Sequence, residues 1–217
     1  MKLVVYNVNC RSIALAETLE AITALDADVI LLQEIADVAH ASYPHRAMHA
    51  DARAAGGLAV LSRLPIELDE LIPTAPDGWF PAQRLIVGGI QILHVHLRPA
   101  LDERGWATGY ISTPPIRLRQ IQTYWARVAP DPPAIVAGDY NEEPAGTTVS
   151  FLAAQGLTRV VPDGPKTWRY LREGREILAL DIDHVMIDRR LAASDARVLD
   201  VGGSDHRPIE VTVSRQR

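Results

Sequence analysis

The apolar residues of this chain recur with two different periods. Apolar and alternating runs, typical of β-strands, lie at 2–8, 29–33, 57–62, 83–87, 90–97, 134–137, 182–187, 197–201 and 209–213. Spacings of three and four predict helices between them. One helix begins at a Ser12 N-cap and continues to Leu25, a second follows Thr113 to Val128, and a third covers 145–155.

The order of these segments indicates the fold class. Gly88 and Gly89 separate two strand-like runs, which predicts a hairpin and therefore an antiparallel pair. Helices also alternate with strands, so a purely antiparallel fold is disfavoured. We expect an α/β (α+β) protein with mixed sheets and helices outside them. No segment has the composition of a linker, so residues 1–217 are expected to form a single domain.

Composition and charge exclude several classes of protein. The 217 residues are 47% hydrophobic and 23% charged, which is ordinary for a globular protein. No apolar run approaches the ~18 residues of a spanning helix, and no signal peptide is recognisable, so a cytoplasmic location without stable membrane association is expected. The single Cys10 excludes an internal disulfide. The net charge of −5 argues against a broad basic surface for duplex DNA.

Polar side chains follow the predicted strands at the positions where each strand ends. They comprise acids, amides and histidines: Asn7, Asn9, Glu34, His96, Asp139, Asn141, Asp183, Asp205 and His206. Converging carboxylates would repel one another without a cation, and Mg²⁺ (or Mn²⁺) prefers such oxygen ligands. Histidines can move protons near neutral pH. This set of groups is suited to hydrolysis of a phosphoester.

These residues lie in motifs that resemble the endonuclease/exonuclease/phosphatase superfamily. The ordered motifs are YNVN at 6–9, LLQE at 31–34, LSRLPI at 61–66, VHL at 95–97, the pair Arg117 and Gln120, GDYNEEP at 138–144, TW at 167–168, DIDHVMI at 181–187 and SDHRPI at 204–209. The resemblance spans almost the whole chain. It implies a four-layer sandwich of two mixed β-sheets flanked by helices, with the site in a cleft at one edge.

The resemblance also implies a role for each site residue. Metal ligands are Glu34, Asn7, Asp205 and Asn9; catalytic residues are His96, Asp139, Asn141, Asp183 and His206; substrate-binding residues are Arg117 and Trp168. Asp139 is expected to contact or activate the attacking water, Asn141 to orient a phosphate oxygen, and Asp183 to brace His206. The family commonly has an acid at the position of Asn9, and this chain departs from that pattern.

Some positions keep two interpretations. Arg117, Gln120 and Tyr124 share the helix face opposite the apolar stripe, which suits either substrate binding or solvent exposure. Trp168 can form a lip beside the substrate or plug the sandwich edge. The segment 99–115 is the candidate specificity loop, and the His40, His45 and His49 segment is expected to be a loop at the cleft rim.

Three functional alternatives accompany the main hypothesis of a Mg²⁺-dependent phosphodiesterase or nuclease acting on nucleic acid or a small phosphodiester. One is a phosphomonoesterase or lipid phosphodiesterase of the same fold. Another is a zinc hydrolase that uses His94 and His96 with Asp205 and His206, although this leaves Glu34 unexplained. The last is a non-catalytic binding module. The sequence does not indicate an oligomeric state.

Overall fold

The computed structural model of the protein describes residues 1–12, 14–50 and 56–216. The strands in these ranges are β1 Lys2–Asn7, β2 Val29–Ile35, β3 His45–His49, β4 Gly57–Ser62, β5 Ile66–Ile72, β6 Ala82–Val87, β7 Ile90–His96, β8 Ile135–Asp139, β9 Leu157–Arg159, β10 Trp168–Arg172, β11 Arg175–Leu180, β12 Asp183–Asp188, β13 Leu191–Val198 and β14 Ile209–Arg215. The helices are α1 Leu15–Thr23, α2 Trp106–Ser112, α3 Pro114–Val128 and α4 Thr147–Ala154.

The strands form two six-stranded mixed sheets. The first has the order β13-β14-β1-β2-β4-β3, and the second has the order β5-β6-β7-β8-β12-β9. β1 is parallel to β2, and β7 is parallel to β8, whereas the other pairs within these sheets are antiparallel. The parallel pairs place the carboxyl ends of β1, β2, β7 and β8 at the edge where the site forms. A separate hairpin of β10 and β11 flanks this edge.

Three apolar layers hold the architecture together. The largest lies between the sheets and includes Val5 and Leu31 from the first sheet and Ile92 and Ala137 from the second, all fully buried. A second layer packs α3 and α4 onto the second sheet, and a third packs α1 onto the first. Burial of such side chains stabilises the fold by about 25 cal/mol per Å² of apolar surface. The expected four-layer sandwich is therefore confirmed.

Helix α3 shows how the local sequence sets an element. Pro114 occupies the first helical turn, where its missing N–H has no intrahelical partner to lose. Ile121, Trp125 and Val128 then form the buried apolar stripe. Residues on the other predicted face are buried as well, because this face meets the loops that leave β5 and β7. That face is therefore not solvent-exposed.

Several local predictions were wrong. Helix α1 has Ala14 at its N-cap, and Ser12 instead accepts a hydrogen bond from the Ala14 N–H. His45 and His49 lie on the edge strand β3, not in a loop. The segment 99–115 contains α2, and β13 begins six residues before the predicted strand. These elements are partly exposed, so their composition carries a weak apolar signal.

None of the helices within the described ranges combines the length and apolar character needed to cross a membrane.

Candidate active site

Strand register places three of the predicted residues in one row. His96 at the end of β7 is level with Asp139 at the end of β8, and Asp139 is level with Asp183 at the start of β12. Residues at one level on neighbouring strands point to the same face of a sheet. All three side chains are buried. The second sheet therefore supplies an imidazole and two carboxylates to one place.

Gly138 permits this row to form. Its φ of +141° is a conformation that L side chains rarely adopt, and a Cβ there would lie 1.9 Å from the carbonyl oxygen of Val95. The glycine thus allows β8 to approach β7 just before Asp139. The Gly of the GDYN motif has a backbone role, and Tyr140 turns into the apolar layer against the helices, where it is fully buried.

A β-bulge presents Glu34. Gln33 pairs with Leu58 and Ile35 pairs with Gly57, so Glu34 is an extra residue in β2. Its φ is +56°, an uncommon value for a residue with a side chain. A bulge redirects a side chain from the regular alternation of a strand. Burial raises the pKa of Glu34, although the hydrogen bond from Asn7 opposes this shift.

Asn7 joins the two sheets at the site. Its Nδ2 donates to Glu34 Oε1 and to Asp139 Oδ2, each at 3.0 Å, and its Oδ1 accepts the Asn9 N–H at 3.1 Å. The side chain is buried at the end of β1. The amide therefore holds carboxylates of two different sheets close together. A role for Asn7 as a metal ligand itself stays a prediction.

Asp205 is attached to the same cluster through Asn9. Asn9 Nδ2 donates to Asp205 Oδ1 at 2.9 Å, and the Trp168 indole Nε1 donates to Asp205 Oδ2 at 2.9 Å. Burial raises the pKa of Asp205, but the nearby His206 and these two hydrogen bonds lower it below its usual range. Trp168 thus contacts a predicted metal ligand from the rim of the site.

His206 is oriented by Asp183. The Nδ1–H donates to the Asp183 carboxylate, with oxygens at 2.9 and 3.2 Å, and Nε2 lies 3.8 Å from Asp139 Oδ2. Burial lowers the pKa of His206, but the carboxylates of Asp183 and Asp139 outweigh it and raise the pKa to about 10. Burial and repulsion from Asp183 raise the pKa of Asp139 to about 7. The acid–imidazole arrangement fixes one tautomer of His206.

His96 carries a buried nitrogen that has no hydrogen-bond partner among the residues that the structure describes. Its Nε2 lies 3.5 Å from Asp139 Oδ2 and 3.8 Å from Glu34 Oε1. The Phe80 ring stacks on the imidazole with centroids 3.9 Å apart and planes 9° apart. Burial lowers the pKa of His96 well below its usual range. A buried polar atom left unsatisfied is costly, so Nε2 is suited to bind an incoming group.

Asn141 is placed at the start of the loop that leaves β8. Its φ is +51°, its N–H donates to Asp139 Oδ1 at 2.8 Å, and its Nδ2 donates to the Leu97 carbonyl at 3.1 Å. These contacts fix the amide beside the row of His96 and Asp139. Asn141 also lines a small cavity with His206.

That cavity has a volume of about 200 Å³ and opens beside the catalytic candidates. Trp106 and Tyr110 of α2 line it from one side, and their rings lie 5.8 Å apart. Trp168 and Leu180 of the β10–β11 hairpin line it from another. The segment proposed for specificity therefore borders the site through a helix.

His94 and His96 do not face one metal position. His94 is fully buried between two glutamines: its Nε2 accepts from Gln33 Nε2 at 2.6 Å, and its Nδ1 donates to Gln83 Oε1 at 3.1 Å. Burial lowers the pKa of His94 to about 3. Both ring nitrogens are engaged in the protein interior, so the geometry does not fit the zinc alternative.

Arg117 lies behind the site. It is 2% exposed, and its guanidinium contacts Glu142. The neighbouring Gln120 and Tyr124 are also buried. Direct substrate binding by Arg117 stays a prediction, and the structure gives it contacts within the protein.

Sequence reasoning did not identify two residues of the site, Phe80 and Glu142. Phe80 belongs to no recognisable motif and reaches His96 through a loop, so no local signal could identify it. Glu142 follows Asn141 within the GDYNEEP motif, and this position was the available signal. Glu142 is 6% exposed, and an acid buried to this extent is uncommon unless it is paired.

The donor atoms of this arrangement are of the kind that bind a divalent cation. Glu34, Asp139 and Asp205 offer hard oxygens within one hydrogen-bonded cluster, which suits Mg²⁺ or Mn²⁺. Asp139, Asp183 and His206 also place ligand atoms within 4.8 Å of one another. His206 Nδ1 already binds Asp183, and the Asp183 side chain is 1% exposed, whereas that of Glu34 is 22% exposed. The side of Glu34 is therefore the more accessible place for the cation.

Comparison with known proteins identifies the family. The chain matches the sequence model of the Endonuclease/Exonuclease/phosphatase family over residues 4–206. It therefore belongs to this family of hydrolytic nucleases and phosphatases. No curated protein matches the chain significantly.

Solved structures show the same fold. The chain is similar to the 3′ phosphatase NExo from Neisseria, bound to a product DNA hairpin, with a TM-score of 0.76, 18% identity and 99% of each chain covered. An AP endonuclease from Archaeoglobus fulgidus gives a TM-score of 0.72 at 13% identity, with 98% of each chain covered. A beta toxin from Staphylococcus aureus gives 0.65 at 16% identity, covering 98% of this chain and 99% of that one.

Proposed function

We propose that this protein is a divalent-metal-dependent hydrolase that cleaves a phosphoester bond with water. One observation carries the proposal: the amide of Asn7 donates to both Glu34 and Asp139, so carboxylates from two sheets meet beside buried histidines. Such a cluster is electrostatically unfavourable alone and is favourable around a cation. Family membership supports the same reaction class.

Glu34 and Asp205 would hold Mg²⁺ or Mn²⁺ in this proposal, with Asn7 and Asn9 beside them. When bound, the cation shields the phosphate charge and lowers the pKa of water. The hydrogen bonds from Asn7, Asn9 and Trp168 fix the orientation of these carboxylates before any ligand arrives.

The remaining residues act on water and phosphate. Asp139 holds the attacking water and accepts its proton, because burial raises the pKa of its carboxylate to about 7, close to that of an effective general base. As the water oxygen bonds to phosphorus, the ester P–O bond breaks and the alcohol leaves with a proton from solvent. His206, braced by Asp183, donates from Nε2 to a phosphate oxygen, and His96 Nε2 donates to another. The Asn141 amide orients the phosphate from the cavity side.

We infer that the substrate is a small phosphodiester or a short single-stranded nucleic-acid end. The cavity is small and has aromatic walls, so it suits a flat group attached to the phosphate more than a lipid chain. The similar NExo structure is described as a 3′ phosphatase with a DNA product. Removal of a terminal phosphate from a strand is therefore the second candidate reaction.

Hydrolysis of bis-p-nitrophenyl phosphate tests the reaction class. Activity is expected with Mg²⁺ or Mn²⁺ and is expected to disappear on chelation and in Asp139→Asn. Asp131→Asn is the matched control, since this acid is exposed and pairs with Arg84 away from the site. Full activity in Asp139→Asn or in chelator would contradict the proposal.

A second assay addresses the substrate. Single-stranded oligonucleotides with a 3′ phosphate, the same strands without it, plasmid DNA, a sphingomyelin analogue and inositol phosphates are compared with Mg²⁺ present. We expect turnover of single-stranded ends. Preferential cleavage of the sphingomyelin analogue, or nanomolar affinity for duplex DNA at physiological salt, would overturn this substrate assignment.

A further inference from the structure

A buried ion pair lies directly behind Asn141. Arg117 Nε donates to Glu142 Oε2 at 3.4 Å, and the two residues are 2% and 6% exposed. Burying two charges costs free energy unless further hydrogen bonds satisfy them. The other contacts of Arg117 and Glu142 therefore indicate the role of the ion pair.

Glu142 connects three elements. Its Oε1 accepts the Thr148 N–H at 2.9 Å at the beginning of α4. Its backbone carbonyl accepts from His184 Nε2 on β12 at 2.7 Å. Its Oε2 reaches Arg117 on α3. Glu142 is thus held on several sides, which fixes the peptide that follows Asn141.

Arg117 binds the segment that follows β7 and faces Asn141. Its Nη1 donates to the Arg98 carbonyl at 3.2 Å and to Thr113 Oγ1 at 2.7 Å. Gln120, one turn further along α3, accepts the Arg98 N–H at 2.8 Å. Both backbone polar groups of Arg98 are therefore bound by α3.

These contacts close into a ring. Asn141 Nδ2 donates to the carbonyl of Leu97, which precedes Arg98 in the chain. Arg98 binds Arg117, Arg117 binds Glu142, and Glu142 follows Asn141. Each link is either a hydrogen bond or a peptide bond, so the Asn141 side chain cannot rotate without breaking one of them.

We propose that Arg117 and Glu142 are positioning residues that hold the Asn141 amide in the orientation needed to bind phosphate. The importance of this orientation for turnover rests on the proposed function. The burial of Arg117 and its contacts through Nε and Nη1 favour this role over direct contact with substrate. A lysine cannot reproduce the fork of donors, so Arg117→Lys disrupts the ring.

The orientation of Asn141 can be measured without turnover. In the intact protein, the side-chain NH₂ resonances of Asn141 should be resolved and slow to exchange with solvent, because Nδ2 is hydrogen bonded. Glu142→Gln and Arg117→Lys should each accelerate this exchange by about tenfold or more. If Glu142→Gln fails to fold, the same exchange is measured in the double variant Arg117→Met with Glu142→Met, which removes both charges of the ion pair. Unchanged exchange in the folded variants would overturn the proposal.

Kinetics then test coupling to Asn141. Glu142→Gln should lower kcat on bis-p-nitrophenyl phosphate by about tenfold in the wild-type background and by less than about twofold in Asn141→Ala. Asp131→Asn is the matched control, because it makes the same acid-to-amide change at an exposed residue that pairs with Arg84 outside the ring. Its effect should be the same in both backgrounds. Equal losses for Glu142→Gln in both backgrounds would contradict positioning through Asn141.

The two readouts separate the possible failures. If wild-type protein shows no turnover with Mg²⁺ or Mn²⁺, the proposed function fails, and the exchange measurement still decides whether the ring orders Asn141. If turnover is present but exchange and coupling do not respond to the ring variants, the positioning role fails and the proposed function stands.

Discussion

His206 donates through Nδ1 to the carboxylate of Asp183 at 2.9 Å, and both side chains are buried. Asp183 lies at the start of β12, whereas His206 lies in the loop before β14, so the bond joins the two sheets. With Nδ1 bound to Asp183, the Nε2 atom of the imidazole points toward Asp139. The fixed tautomer is the basis of the first prediction.

Asp183→Asn should lower kcat by about two to four orders of magnitude with a small change in KM. The amide can present its NH₂ to Nδ1 and so favour the wrong tautomer of His206. Steady-state kinetics on bis-p-nitrophenyl phosphate measure the effect. Asp188→Asn at the other end of β12 is the control. A kcat within about twofold of wild type would refute the bracing role.

Phe80→Leu should reduce kcat by about tenfold, because the flat ring that stacks on His96 is replaced by a branched aliphatic side chain. The control is Phe151→Leu, whose ring packs on Trp125 on the helical side of the second sheet. Equal kcat values for Phe80→Leu and wild type, at equal folded fraction, would contradict orientation of His96 by stacking.

Trp168→Phe distinguishes the two interpretations of Trp168, which either forms a lip beside the substrate or fills the sandwich edge. Phenylalanine fills the sandwich edge but cannot donate to Asp205. We expect a several-fold higher Mg²⁺ concentration for half-maximal activity, because the carboxylate loses one of its orienting bonds. Titration of activity with Mg²⁺ measures this shift. An unchanged metal requirement would indicate that Trp168 serves only to fill space.

The low pKa of His94 predicts that the free energy of unfolding depends on pH. Its folded pKa of about 3 is below the usual value of 6.5, so the unfolded chain binds the proton more readily. This contribution to stability is complete above about pH 6.5 and is lost as the pH falls toward 3. Wild type should lose about 2 kcal/mol more than His94→Gln between about pH 8 and pH 5. Urea unfolding measures the free energy of unfolding of wild type and His94→Gln at each pH. An equal dependence on pH in the two proteins would contradict a buried neutral His94.

The strand ends were predictable because buried strands leave clear apolar runs. Asn7, Asp139 and Asp183 follow or begin such runs, and the resemblance ordered them along the chain. Their convergence required the pairing register, which joins residues far apart in sequence. The sequence could supply these residues of the candidate site but not the distances between them.

Other features depended on tertiary contacts that no local pattern reveals. The bulge at Glu34 is set by the pairing of β2 with β4, not by periodicity within β2. Arg117 lies on a polar helix face, which looks solvent-exposed until the loops that cover it are known. Phe80 reaches His96 from a loop with no motif of its own.

Binding of Mn²⁺, followed by calorimetry and by loss of the free-ion paramagnetic signal, tests most directly whether acids from separate strands form one cation site. We expect wild type to bind Mn²⁺, Mg²⁺ to compete for it, and Glu34→Gln or Asp205→Asn to weaken binding by about tenfold or more. Glu17→Gln on α1 should bind as wild type does. Undiminished Mn²⁺ binding in both site variants, at full folded fraction, would contradict the account.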